Sequence, residues 1–176
     1  MVNKLLVTGG IRSGKTGMAE QRARAAGTEV VYLATATAGD DEMARRIERH
    51  QTQRPAAWGL VEEPVRLGQV LRDFHERPGS APVLLIDCMS LWLSNLLFAG
   101  EAVFRQQRAE FLAELARYRG GLVVVTNEVG LGTIAMDPLT RRFVDELGWL
   151  NQALAQLCDE VVMVVAGLPL TLKAGG

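Results

Sequence analysis

Five short apolar runs punctuate the chain: Leu5–Thr8, Val30–Ala34, Val83–Asp87, Leu122–Asn127 and Val161–Ala166. They are rich in aliphatic residues and lack the in/out alternation of a half-exposed strand. Strands buried on both faces have this pattern, so it predicts a mainly parallel sheet covered by helices on each side. Between the runs lie stretches of helical character: Lys15–Ala26, Asp41–Gln53, Val65–Glu76, Met89–Phe98, Glu101–Tyr118 and Leu139–Leu157. The alternation of the two defines an α/β class. The tail Leu170–Lys173, after Gly167 and Pro169, is expected to return as an edge hairpin strand. With no repeats and no low-complexity linker, 176 residues predict one domain spanning 1–176.

The first strand runs straight into Gly9-Gly10-Ile11-Arg12-Ser13-Gly14-Lys15-Thr16, which fits G-x-x-x-x-G-K-[ST]. Strand, glycine loop and helix is the arrangement that a phosphate-binding loop requires. Glycines let backbone N–H groups approach phosphate oxygens with no Cβ in the way. The helix after the loop points its positive end at the same place. Lys15 adds a point charge for the β- and γ-phosphates, and Thr16 offers a hydroxyl to Mg²⁺. The chain therefore binds a nucleoside triphosphate, and the loop alone does not specify the reaction.

In open α/β sheets ligands sit beyond the carboxyl ends of the strands. That rule selects Thr35 and Ala36, then Asp87, then Thr126-Asn127-Glu128. Asp87 closes Val83-Leu84-Leu85-Ile86, a Walker-B-like strand with its carboxylate near the metal. The other reading is an ordinary acid at a strand end. Asn127 and Glu128 either position a nucleophile or the γ-phosphate, or form a polar turn before Gly130.

Charge and composition narrow the class. A net charge of −1 argues against a general nucleic-acid binder, which would be basic. No apolar run reaches the ~18 residues of a membrane span. The apolar start leaves no room for a signal peptide, so a cytoplasmic protein is expected. Cys88 and Cys158 fit no metal motif and read as buried free thiols.

Of the two histidines, His75 lies in a charged helix end and reads as a solvated surface residue. His50 closes Asp40-Asp41-Glu42-Met43-Ala44-Arg45-Arg46-Ile47-Glu48-Arg49-His50. Acids open this helix and bases close it, as the dipole favours. Neighbouring guanidiniums would depress the imidazole pKa and keep the ring neutral and nucleophilic, and would attract a triphosphate. The alternative is a helix-terminal histidine that merely interacts with the dipole, with the arginines paired to Glu42 and Glu48.

These features together resemble the bifunctional adenosylcobinamide kinase / adenosylcobinamide-phosphate guanylyltransferase family of cobalamin biosynthesis. The likeness rests on Leu6-Val7-Thr8-Gly9-Gly10 with the loop, on Asp40–Met43 leading to Arg46-Ile47 and His50, and on Arg54-Pro55-Ala56 with Trp58 and Glu62. It continues through Asn95–Phe98 and Val125-Thr126-Asn127-Glu128-Val129-Gly130. The histidine helix and the Thr-Asn-Glu-Val-Gly segment are far more specific than the phosphate loop. The resemblance implies phosphorylation of the aminopropanol hydroxyl of adenosylcobinamide by ATP or GTP. It then implies transfer of GMP from GTP through a histidine to the phosphorylated corrinoid. By position His50 matches the guanylylated residue. Gly9–Thr16, Thr35, Ala36, Gln51, Thr52, Gln53, Arg54, Glu62 and Asp87 fall where the resemblance places nucleotide contacts. Lys15 joins His50 as catalytic, and Thr16 and Asp87 are the metal-binding pair.

The implied fold is RecA-like, a mostly parallel sheet with an antiparallel end, assembled as a homotrimer. Relatives often carry two adjacent histidines where this chain has Arg49-His50, which leaves one candidate. A monofunctional small-molecule kinase is the alternative. For the kinase step, Glu128 or Asp87 is the carboxylate that could orient the attacking hydroxyl.

Overall fold

A computed structural model describes residues 4–27, 29–36, 57–132 and 135–176. Seven strands form one sheet: β1 (Lys4–Gly9), β2 (Val30–Ala34), β3 (Gly59–Glu62), β4 (Val83–Asp87), β5 (Leu122–Val125), β6 (Glu160–Val165) and β7 (Leu168–Lys173). Their spatial order is β3-β2-β4-β5-β1-β6-β7. Every pairing is parallel except β6–β7, which is antiparallel. The described helices are α1 (Lys15–Ala26), α2 (Leu67–Glu76), α3 (Met89–Ala99), α4 (Glu101–Arg117) and α5 (Pro138–Leu157). The expected helix Asp41–Gln53 lies outside the described residues.

Strands β1, β2, β4 and β5 are buried on both sides, as their apolar composition requires, whereas β6 is exposed at Val165. Leu6, Leu33, Leu84, Ile86 and Val124 face a core built with Leu71, Trp92, Phe111, Leu115 and Leu150 from α2 to α5. Leu5, Val7, Tyr32, Leu85 and Val125 face the opposite side, where Ala19 and Ala23 of α1 pack. Small residues on α1 let that helix lie close to the sheet above the phosphate loop. Trp92 is fully buried, its ring 4.8 Å from Phe111 and its Nε1 donating to the Val65 carbonyl at 2.8 Å. Helix α3 thus enters the core at Trp92, while Phe98 at its end is exposed.

Several boundaries differ from expectation, β5 ending at Val125 rather than Asn127 among them, and three differences have local reasons. The short strand β3 has no counterpart among the apolar runs, because Gly59-Leu60-Val61-Glu62 is an exposed edge. The C-terminal strand begins at Leu168 rather than Leu170 and includes Pro169, which an edge strand tolerates because one side of its backbone is free. It is joined to β6 by a two-residue turn in which Ala166 (φ 52°) and Gly167 (φ 79°) are both left-handed, as a tight hairpin demands. Helix α2 starts at Leu67, two residues late, because the Glu63 carboxylate accepts from the N–H groups of Val65 and Arg66, both at 2.8 Å. His75 is half-buried rather than solvated, its ring centroid 6.4 Å from that of Tyr118.

Candidate active site

The carboxyl ends of the strands are in register. Glu62, Ala34, Asp87, Val125 and Val7 pair successively across the sheet from β3 to β1. Everything that leaves these strands emerges along one edge.

From β1 the chain turns at Gly9 into the loop. Gly9 has φ 155° and Gly14, the N-cap of α1, has φ 92°. A Cβ on Gly9 would stand 2.5 Å from the Val164 carbonyl and 2.7 Å from Ser13 Oγ. The first of these is sheet backbone and cannot retreat. Gly9→Ala should therefore distort the loop, costing ~2 kcal/mol of stability and at least tenfold in nucleotide affinity by equilibrium binding. The loop is braced from outside as well. The Gly167 N–H at the hairpin tip donates to the Ser13 carbonyl at 2.8 Å. Lys15 Nζ donates to the Gly10 carbonyl at 3.0 Å, so the ammonium lies over its own loop. Burial lowers its pKa, opposed by the negative charge of Asp87 nearby. Arg12 (φ 55°) and exposed Ile11 form the outer rim.

From β4 the chain delivers Asp87, whose Oδ2 accepts from the Tyr32 hydroxyl at 2.9 Å. The next peptide, Asp87–Cys88, is cis. Thr35 clamps Cys88, with Oγ1 accepting from the Cys88 N–H and donating to the Cys88 carbonyl, each at 2.8 Å. Thr35 is fully buried, so its hydroxyl shapes the turn behind Asp87 and does not line the crevice. Asn95 Nδ2 pins the Thr35 and Pro64 carbonyls at 2.9 and 3.0 Å. Ala36 follows at the crevice edge. Glu62 is exposed at the end of β3, four strand spacings from β1, or about 19 Å at ~4.8 Å each. That distance suits the base end of a nucleotide and not its phosphates.

Cys88 is free and buried, and burial pushes its thiol pKa up, with Asp87 adding to the effect. Cys158 is likewise free and buried, its pKa pushed up to about 12. Both are the inert thiols that composition predicts. Gln51, Thr52, Gln53, Arg54 and His50 lie outside the described residues. Sequence reasoning missed Tyr32, which holds Asp87 from within an apolar strand, and the residues that hold Glu128.

A parallel sheet with a glycine loop after one strand and an acid after another, with a further strand between them, defines a P-loop nucleotide-binding protein of the RecA-like type. Solved structures agree at the level of fold. The RadB recombinase superposes with a TM-score of 0.51 at 15% identity, covering 92% of this chain and 73% of that one. A Pyrococcus horikoshii protein superposes at 0.50 with 8% identity, covering 98% and 86%. Sequence comparison is narrower. The family described as "Cobinamide kinase / cobinamide phosphate guanyltransferase" matches residues 5–172, and the chain belongs to it. The "Bifunctional adenosylcobalamin biosynthesis protein CobP" of Pseudomonas aeruginosa is 46% identical over 169 residues, 96% of each chain. The CobU protein of the same description from Escherichia coli is 36% identical over 183 residues, 96% of this chain and 99% of its own. The chain is thus a kinase and guanylyltransferase of cobalamin biosynthesis, and the kinase-only alternative loses its support.

Proposed function

We propose that both transfers run from the crevice above Gly9–Thr16, with His50 as the residue that carries GMP. In the first, the aminopropanol hydroxyl of adenosylcobinamide attacks the γ-phosphorus of ATP or GTP, and the nucleoside diphosphate leaves. In the second, a neutral imidazole nitrogen of His50 attacks the α-phosphorus of GTP. An N–P bond forms, the α–β bridge breaks and pyrophosphate departs. A phosphate oxygen of adenosylcobinamide phosphate then displaces the histidine, giving adenosyl-GDP-cobinamide. A phosphoramidate keeps high transfer potential, so one hard displacement becomes two easier ones.

The observation that carries this reading is the convergence of Lys15 and Asp87 at one sheet edge within a chain of this family. The donors suit Mg²⁺. Among the described residues no three acidic, histidine or cysteine side chains form a metal cage. A Mg²⁺ site of a P-loop enzyme needs none, because one carboxylate, one hydroxyl, phosphate oxygens and water suffice. Thr16 and Asp87 would hold the ion, with Tyr32 fixing one carboxylate oxygen and leaving the other for it. The ion supplies charge neutralisation at the phosphates. Lys15 and the loop N–H groups act in the same direction on the departing oxygens. Gln51–Arg54, Ala36 and Glu62 complete the nucleotide contacts in this proposal, with Thr35 acting through the turn that it braces. A cytoplasmic homotrimer is its assembly, the trimer being what the family resemblance implies. Among the described residues no helix is long and apolar enough to cross a membrane.

The test is a labelling experiment. Protein incubated with Mg²⁺ and GTP labelled at the α-phosphate should retain label after denaturation. The bond should be acid-labile and alkali-stable and should map to His50. No retained label, with corrinoid-dependent γ-phosphate transfer intact, would remove the guanylyl-histidine step.

A further inference from the structure

The two transfers differ in one proton. The imidazole of His50 attacks as a neutral base with a free lone pair. The kinase nucleophile is an alcohol, and its O–H must give up a proton as the new O–P bond forms. A proton acceptor is therefore needed in the kinase step and not in the uptake of GMP.

The topology says where to look. Strand β5 lies between β1, which carries the phosphate loop, and β4, which carries Asp87. Val125 at its end pairs with Val7 on one side and Asp87 on the other. The segment that leaves β5, Thr126-Asn127-Glu128, thus emerges between the loop and the metal-binding acid, where the terminal phosphate of a loop-bound nucleotide sits. Two backbone bonds fix it there: Thr126 N–H donates to the Val7 carbonyl at 3.0 Å, and Glu128 N–H donates to the Gly9 carbonyl at 3.1 Å.

The Glu128 side chain is then aimed. Its Oε1 accepts from Thr8 Oγ1 at 2.9 Å and from Asn151 Nδ2 at 3.3 Å. Asn151 is itself locked, with Nδ2 donating to the Asn127 carbonyl at 3.1 Å and Oδ1 accepting from Thr126 Oγ1 at 2.7 Å. Asn127 is held in turn by Ser90 Oγ, which accepts from its Nδ2 at 2.6 Å. One oxygen of Glu128 is fully engaged. The other, Oε2, has no partner among the described residues and is not sealed from solvent. A carboxylate with one oxygen anchored twice and the other open is placed to accept a proton. Asp87 is differently placed, with one oxygen on Tyr32 and its charge acting on Lys15.

We propose that Glu128 is the catalytic base of the kinase step, its Oε2 taking the proton of the attacking corrinoid hydroxyl, while Thr8 and Asn151 are positioning residues that hold Oε1. This rests on the two-transfer reading above. In the step, the hydroxyl oxygen bonds to the γ-phosphorus, the β–γ bridging bond breaks towards the nucleoside diphosphate, and the proton ends on Glu128 before passing to water. Phosphoryl transfer has a loose transition state, so the base contributes towards the lower end of the usual 10²–10⁴-fold range.

The experiment uses the full chain with Mg²⁺, GTP and adenosylcobinamide. Glu128→Gln keeps the shape and an acceptor for Thr8 but removes the basic oxygen. Its kcat for γ-phosphate transfer should fall about 100-fold, with the KM for GTP changed less than threefold. Uptake of α-label by the protein should stay within about threefold of wild type. Glu128→Asp, which keeps a carboxylate one methylene shorter, should recover part of the lost kcat. A Glu128→Gln kinase rate within about threefold of wild type overturns the proposal. So does a parallel fall of γ-transfer, α-label uptake and GTP binding, which marks a structural role. Failure of the underlying two-transfer reading is seen separately, as absence of either transfer in the wild-type protein.

Discussion

His50→Ala is expected to abolish the uptake of GMP while adenosylcobinamide is still phosphorylated at close to the wild-type rate. The separation arises from what each reaction needs. Removing the nucleophile of a covalent pathway leaves no route to the intermediate, so retained α-label should fall by three orders of magnitude or more, to the level of unreacted protein. The γ-phosphate is transferred directly to an alcohol and never touches the imidazole. The product that accumulates should be adenosylcobinamide phosphate, which chromatography separates from the GDP-linked corrinoid. If both transfers fell together, His50 would have a structural role, which its place in the sequence among Arg45, Arg46 and Arg49 also allows. If GMP transfer survived, the nucleophile would lie elsewhere.

What the sequence made legible divides along local and distant relations. The phosphate loop is visible because its chemistry is covalently local: eight consecutive residues supply the glycines, the lysine and the hydroxyl. The sheet is visible because strands buried on both faces must be largely apolar, as β1, β2, β4 and β5 are. Strand β3 is invisible because it pairs on one side only, with Leu60 and Glu62 exposed, so burial imposes no pattern on it. Side-chain networks are hidden for a third reason. Thr8 and Glu128 meet across 120 positions, and Thr35 and Cys88 across 53. Nothing near Thr35 in the chain reveals that its hydroxyl faces the turn behind Asp87 and not the crevice. Asn151 sits on α5 among residues of ordinary amphipathic spacing, and only the folded sheet brings it to Glu128.

The shared seat itself is exposed to a single substitution. Two reactions at different phosphorus atoms could use one nucleotide site or two. Lys15→Met decides between them, because the lysine is part of the loop and of nothing else. With one seat, both γ-transfer to the corrinoid and α-label uptake should fall by 10²–10³-fold, the usual consequence of removing a preorganised charge from developing phosphate negative charge. With a second seat near His50, α-label uptake would survive while the kinase alone was lost. The variant should not owe its inactivity to unfolding. Burial lowers the Lys15 pKa, so the folded protein holds that proton less tightly than the unfolded chain does. A lowered lysine pKa means that the charged form opposes folding below the folded-state pKa. The penalty fades as pH rises from the folded pKa towards the unfolded value. Methionine is similar in length and carries no charge, so it removes this penalty at neutral pH. The nucleotide-free variant should therefore melt at or above the wild-type Tm while GTP no longer raises it. A variant that melts lower would assign Lys15 a net stabilising role in the empty loop, through its bond to the Gly10 carbonyl, and would require the rates to be compared at a temperature where both proteins are folded.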